Sequence, residues 1–267
     1  MTSRGEFETH LRAARDGGRK LLVPYVTAGM TPDWVEVVHA VADAGADAVE
    51  IGIPFSDPMI DGPVIQQASS TALEAGTTPV KVLDALRRES FGVPLAVMTY
   101  YNIVFRAGHR RFAGSLADAG VRGAILPDLS LEESDAWCEE ADRAGVDTIM
   151  LVAPSTPVDR AAVICSRSRG FVYAVGVMGV TGERSALARS ASSVALRLRP
   201  LTDLPICMGI GISTPSLAVE ASEHSDGVVV GSALVRRLTD GAGPLGAAQF
   251  VGELRSALDG ATRLGER

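Results

Sequence analysis

Lysine is nearly absent from this chain: Lys20 and Lys81 are the only two in 267 residues. The pattern places Lys20 at the opening of the first strand and Lys81 on a predicted helix. Neither stands at the C-terminal end of a strand, which argues against a Schiff-base aldolase, whose amine must sit at the reacting centre. Histidine is scarce too. His10, His39, His109 and His224 fall in helices or at their starts, without the spacing of a ligand cluster, which argues against a zinc aldolase or a metal hydrolase. No metal site and no cofactor of the chain's own is expected. The three cysteines, Cys138, Cys165 and Cys207, are far apart and include no CxxC pair, so buried reduced thiols are the plain reading. No apolar run approaches the roughly 20 residues of a membrane span. The stretch Met1–Leu11 is polar and carries two glutamates, unlike a secretory signal, and the expected location is the cytoplasm. A basic excess is missing as well. The formal net charge of −7 argues against a nucleic-acid or anionic-membrane surface. It leaves an anionic substrate open, because backbone N–H groups and helix N-termini supply local positive potential.

What is present is a soluble globular balance, 46% hydrophobic and 21% charged residues. Short apolar runs alternate with helix-period segments along the whole chain. Strands are expected near Lys20–Thr27, Ala46–Gly52, Val93–Thr99, Gly123–Pro127, Asp147–Leu151, Phe171–Val175, Leu204–Met208 and Gly227–Val230. Amphipathic stretches such as Pro32–Ala44, Arg110–Ala119, Glu132–Ala144 and Pro215–Ser222 lie between them, which implies parallel pairing through helical crossovers. Ala44-Gly45-Ala46, Ala119-Gly120-Val121 and Ala144-Gly145-Val146 each put a glycine where a helix ends and a strand begins. Eight strands favour a closed (β/α)₈ TIM barrel over an open doubly wound sheet. The expectation is a single catalytic domain over residues 1–267, with Glu6–Arg15 capping one end. The chemistry of such a barrel belongs in the loops after the strands.

Glu50 interrupts an otherwise apolar strand. Alternation puts it on one face with Ala48 and Gly52, small neighbours that leave room in the barrel mouth for a carboxylate and a ligand. A buried carboxyl has a raised pKa and suits a general acid; a glutamate at a frayed strand end, facing water, is the competing reading. The loop from the same strand carries Asp57-Pro58, a turn signal, and Asp61 ahead of Gly62-Pro63. Asp61 reads either as an N-cap for a helix beginning near Pro63 or as the second member of an acid–base pair with Glu50. Gly209-Ile210-Gly211 follows the seventh strand and Gly231-Ser232 the eighth, ahead of a helical Ala233–Leu238. Those are the two places where this fold builds a phosphate site. Gly176 through Arg184 holds three glycines in seven residues, either a lid that excludes water or an ordinary surface loop. Tyr25, Tyr100 and Tyr173, near strand ends, either line a pocket or pack in the core.

With these residues in place, the chain resembles the α subunit of tryptophan synthase over nearly its whole length. The resemblance rests on Leu22 through Gly29, Glu50 through Gln66, and Met98-Thr99-Tyr100-Tyr101-Asn102. It continues through Leu126-Pro127-Asp128-Leu129, Gly179-Val180-Thr181-Gly182, Gly209-Ile210-Gly211 and Gly231-Ser232. It implies a lyase of tryptophan biosynthesis that cleaves indole-3-glycerol phosphate to indole and glyceraldehyde 3-phosphate. Glu50 then matches the general acid–base, and Asp61 the aspartate that stabilises charge on the indole nitrogen. Gly182, Gly211, Gly231 and Ser232 match phosphate-binding positions, and Tyr25, Ile65, Tyr100, Tyr173 and Thr181 the pocket lining. Phe55, Asp57 and Asn102 match positions that contact or signal to a β subunit, which carries the pyridoxal phosphate of the heterotetramer. Met30, Gly176-Val177 and Met59-Ile60 depart from the family's usual aspartate, Ser-Arg and Leu-Ala, all near the loops that couple the subunits. Two alternatives stand beside this reading: a stand-alone lyase that releases free indole, and a catalytically silent barrel that binds a phosphometabolite.

Overall fold

Eight short strands, in chain order, close on themselves in the computed structural model, which describes residues 5–176, 192–209 and 211–265. They are β1 (Leu21–Thr27), β2 (Val49–Gly52), β3 (Leu95–Met98), β4 (Val121–Ile125), β5 (Asp147–Val152), β6 (Val172–Val175), β7 (Ile206–Gly209) and β8 (Gly227–Val230). Every pairing is parallel, and β8 returns to β1 with Leu21 opposite Gly227. The expected (β/α)₈ barrel is therefore the observed one.

The helices that return the chain are α1 (Glu6–Asp16), α2 (Trp34–Asp43), α3 (Pro63–Glu74), α4 (Pro79–Leu86), α5 (Tyr101–Ala107) and α6 (His109–Asp118). They continue with α7 (Asp135–Ala144), α8 (Val158–Arg167), α9 (residues 192–198), α10 (Pro215–Ser222), α11 (Ser232–Thr239) and α12 (Gly243–Gly265). The glycine joints do what their chemistry allows: Gly45, Gly120 and Gly145 take φ of 106°, 76° and 71°, where a side chain would be strained.

Boundaries shift for local reasons. The second strand was expected from Ala46, but its ladder begins at Val49, because Asp47 turns its carboxylate to the Leu22 N–H at 2.8 Å and to Arg19 at 2.6 Å. The fourth was expected to reach Pro127 and ends at Ile125, two residues before that proline, which has no N–H to give the ladder. A 3₁₀ turn over Leu131–Glu133 precedes α7, which starts three residues later than the amphipathic pattern.

Two apolar layers result. One lies between strands and helices. The other fills the barrel interior with Leu21, Val23, Ala48, Ala96, Ile125, Ile149, Phe171, Cys207 and Val229, joined from below by Phe7 and Leu11 of α1. Phe7 reaches the ring of Phe171 at 6.3 Å between centroids. The helix is pinned by Asp147, which accepts the Glu8 N–H at 2.8 Å and leaves no space for a side chain at Gly5. The expected cap thus plugs the N-terminal end of the barrel. Among the described residues, a cavity lies at the opposite end. The three cysteines are free and buried, as expected, and among the described residues no helix is long and apolar enough to cross a membrane.

Candidate active site

The inward parity of β2 runs Ala48, Glu50, Gly52, and the structure keeps that parity: Ala48 belongs to the interior core and Glu50 is 1% exposed. The Cα partners of Glu50 are Tyr25 on β1 and Ala96 on β3. Ala96 is small, so the carboxyl has room inside the barrel rather than at a frayed edge. Its Oε2 is buried and has no hydrogen-bond partner among the described residues. Because Glu50 lines the cavity, that oxygen is available to a molecule that fills it. Burial, and then the charge of Asp61, push the Glu50 carboxyl up to about 8. It is therefore protonated at neutral pH and able to donate.

Asp61 hangs over the same cavity from the loop after β2. The helix-cap reading of this residue fails on geometry: Gly62 occupies the N-cap of α3, and no side chain caps the helix. The carboxylate of Asp61 accepts instead from the Tyr100 hydroxyl at 3.0 Å. Burial raises the Asp61 carboxyl above its ordinary value, and the Tyr100 hydrogen bond opposes that rise.

A cavity of about 240 Å³ joins these groups at the barrel mouth. Tyr25, Ile65, Tyr173, Gly211, Gly231 and Ser232 line it with Glu50 and Asp61. Tyr100 reaches the cavity through Asp61, and Phe55 stacks on the Tyr100 ring with centroids 5.1 Å apart. Asp57 and Asn102 are exposed at the rim, where Asp57 accepts from Ser56 at 2.5 Å. Thr181 and Gly182, with the proposed lid, lie outside the described residues. Two inward tyrosines shape the walls by leaning over glycines on the next strand. A Cβ on Gly52 would fall 1.9 Å from the Tyr25 hydroxyl, and one on Gly209 would fall 2.3 Å from the Tyr173 ring.

Among the wall residues that the sequence reading did not assign to the site are Met98, Pro127 and Leu151. They carry the inward parity of β3, β4 and β5 one step past the interior core, and that alternation was the signal available. The lysines take no part: Lys20 Nζ donates to the carbonyls of Ser222 and Ser225, and Lys81 Nζ to that of Gly76. His39 pairs with Glu89 and His109 with Tyr101, both away from the cavity.

A closed parallel barrel with a buried carboxylic acid, a second carboxylate and two glycine loops at its C-terminal mouth is the architecture of a TIM-barrel enzyme equipped for acid–base chemistry. Comparison with known proteins narrows that class. Residues 11–255 match the family described as Tryptophan synthase alpha chain. A protein of that name from Streptomyces coelicolor is 45% identical, with 86% of each chain covered. One from Halorhodospira halophila is 44% identical over 96% of this chain and 97% of its own. Among solved structures, tryptophan synthase of Mycobacterium tuberculosis superposes with a TM-score of 0.89 at 36% identity, covering 96% of this chain and 99% of that one. The tryptophan synthase subunit alpha of Legionella pneumophila gives 0.87 at 30% identity, covering 97% and 100%. The chain belongs to the tryptophan synthase alpha chain family and is a lyase of tryptophan biosynthesis.

Proposed function

We propose that Glu50 and Asp61 carry the family's reaction, cleavage of indole-3-glycerol phosphate to indole and glyceraldehyde 3-phosphate. The observation that carries this is the buried Oε2 of Glu50, unpartnered among the described residues, in a cavity shared with Asp61. The protonated Glu50 delivers its proton to C3 of the indole ring, leaving positive charge on the ring nitrogen. Asp61, ionised and held by Tyr100, faces that charge. The bond from C3 to the adjacent glycerol carbon then breaks. Its electron pair returns to the ring, and the hydroxyl on that carbon gives its proton to the Glu50 carboxylate as the carbonyl forms. Protons balance over the cycle, so one glutamate serves as acid and then as base.

Gly211, Gly231 and Ser232 are assigned to the phosphate, together with Gly182, which lies outside the described residues, as does Thr181 of the pocket lining. Support comes from the loops after β7 and β8 and from the start of α11, where free N–H groups meet the macrodipole. The tyrosines and aliphatic residues of the barrel mouth suit the indole ring.

The partner is assigned as a β subunit, seated on the rim with Phe55, Asp57 and Asn102. The same rim exposes Met59 at 82% and Ile60 at 53%, apolar area suited to an interface. Pyridoxal phosphate belongs to that partner. We place the enzyme in the cytoplasm and assign all residues to one catalytic domain. Indole release is to be assayed with and without the β subunit: a slow isolated chain accelerated by the partner supports this reading. Full release by the isolated chain, unaffected by the partner, would make it a stand-alone lyase.

A further inference from the structure

The glycerol phosphate chain of the substrate must run from the glycine loops to Glu50, and one strand lies between them. The barrel order places β1 between β8, which leads into Gly231 and Ser232, and β2, which carries Glu50. Tyr25 is the inward residue of β1 at that level. On one side its Cα partner is Glu50. On the other, its Cβ lies 3.7 Å from where a Cβ on Gly231 would stand. The ring rises toward the mouth over Gly52, whose lack of a side chain admits the phenol oxygen.

Among the described residues that oxygen has one hydrogen-bond partner, Thr27 Oγ1 at 3.4 Å. Either hydroxyl can donate across that contact, which is long for a bond between two hydroxyls and leaves the Tyr25 group weakly bonded in a residue that is only 5% exposed. A buried tyrosine ordinarily finds a partner for its hydroxyl. No hydrogen bond among the described residues joins it to Glu50, so a closer partner has to come from what fills the cavity that it lines.

We propose that Tyr25 is a specificity-determining residue whose hydroxyl donates a hydrogen bond to the substrate's middle glycerol hydroxyl. That group sits on the carbon between the reacting carbon and the phosphate-bearing carbon. The proposal rests on the assignment of Glu50 to the reacting carbon and of the glycine loops to the phosphate. A neutral donor suits a neutral hydroxyl, and burial together with the charges of Asp61 and Glu50 keeps the phenol protonated well beyond its ordinary range.

The test compares wild type with Tyr25→Phe, which keeps the ring, on indole-3-glycerol phosphate and on the analogue lacking only the middle hydroxyl. The analogue can still be cleaved, because the hydroxyl on the reacting carbon remains. Tyr25→Phe is expected to lower kcat/KM about tenfold on the full substrate and to leave the analogue unchanged. Equal losses on both would make Tyr25 a packing residue, and no loss on either would remove it from recognition; each result overturns the proposal. Glu50→Gln, assayed alongside, separates the two levels of inference. If that variant turns over normally, the assignment of the site fails and the proposal falls with it. If it is inactive while Tyr25→Phe behaves like wild type, only the role of Tyr25 is lost.

Discussion

The Tyr100 hydroxyl donates to Oδ2 of Asp61 at 3.0 Å and accepts the backbone N–H groups of Ile60 and Asp61 at 3.1 and 3.3 Å. One oxygen at the end of β3 thus uses its donor and both acceptor positions to hold a loop that springs from β2. It fixes where the Asp61 carboxylate points and offsets part of the pKa rise that burial imposes.

Tyr100→Phe removes that donor and the loop's anchor. The expected result is a fall in kcat/KM of about 10- to 100-fold with little change in KM, since the loss falls on a charge that develops in the transition state. The sign of the pH effect follows from Asp61 acting ionised: without the hydrogen bond its pKa rises further, so activity is lost at higher pH on the acid side. A kcat/KM profile with an unmoved acid limb would relegate Tyr100 to packing.

Glu50→Gln keeps shape and removes proton transfer. Turnover is expected to fall by orders of magnitude, on the order of 10³-fold, consistent with the loss of an acid–base group. Substrate affinity, measured by equilibrium binding, is expected to stay within a few-fold of wild type. Near-normal turnover would end the assignment.

The same residue predicts two pH dependences. Its carboxyl is raised from 4.5 to about 8 in the folded chain, so between those values folding takes up a proton. Its contribution to stability is therefore complete below the ordinary value and is lost as pH rises toward 8. Relative to Glu50→Gln, wild type should lose stability across that window, with a limiting slope of about 1.4 kcal/mol per pH unit. Urea unfolding of both proteins at pH 5, 6.5 and 8 measures it, and parallel curves would refute the raised pKa. In wild type, kcat/KM should also decline above about pH 8 as the acid form is lost.

Gly231→Ala and Gly209→Ala are predicted to fail in different ways. At Gly231 a Cβ meets nothing closer than 3.7 Å, so the variant should fold and chiefly raise KM, about tenfold, by keeping phosphate away from the backbone. At Gly209 a Cβ would stand 2.3 Å from the Tyr173 ring, so that variant should be less stable and bind poorly because the wall itself moves. Thermal melts and KM for the pair distinguish these effects; an unchanged KM in Gly231→Ala would take that loop out of the site.

Phe7→Ala empties the plug at the closed end. The loss should be about 3–5 kcal/mol of stability, typical for a buried aromatic removed from a core. KM at the remote mouth should be unchanged at temperatures where the chain stays folded. A KM shift comparable to that of Gly231→Ala would mean that the two ends of the barrel are coupled.

Much of this molecule is written locally. Gly45, Gly120 and Gly145 announce helix–strand joints because few other residues tolerate their φ, and the period-two pattern Ala48-Glu50-Gly52 fixes which way Glu50 faces. Asp61 shows the limit of that legibility. Before Gly62-Pro63 the local chemistry of an aspartate is a helix cap, and only the approach of Tyr100, 39 residues away just past β3, turns its carboxylate to the cavity.

What the sequence by itself determined was the repeating strand–helix unit, the inward glutamate and the absence of lysine or histidine chemistry at the strand ends, because each depends on residue type and nearest-neighbour geometry. What only the tertiary structure decided was the burial that raises the Glu50 carboxyl, the direction in which Asp61 points and the placing of Tyr25 between them and the glycine loops. Those depend on barrel closure, which removes water from Glu50 and brings side chains distant in the chain to one mouth. Desolvation and charge act through space, and no local pattern carries them.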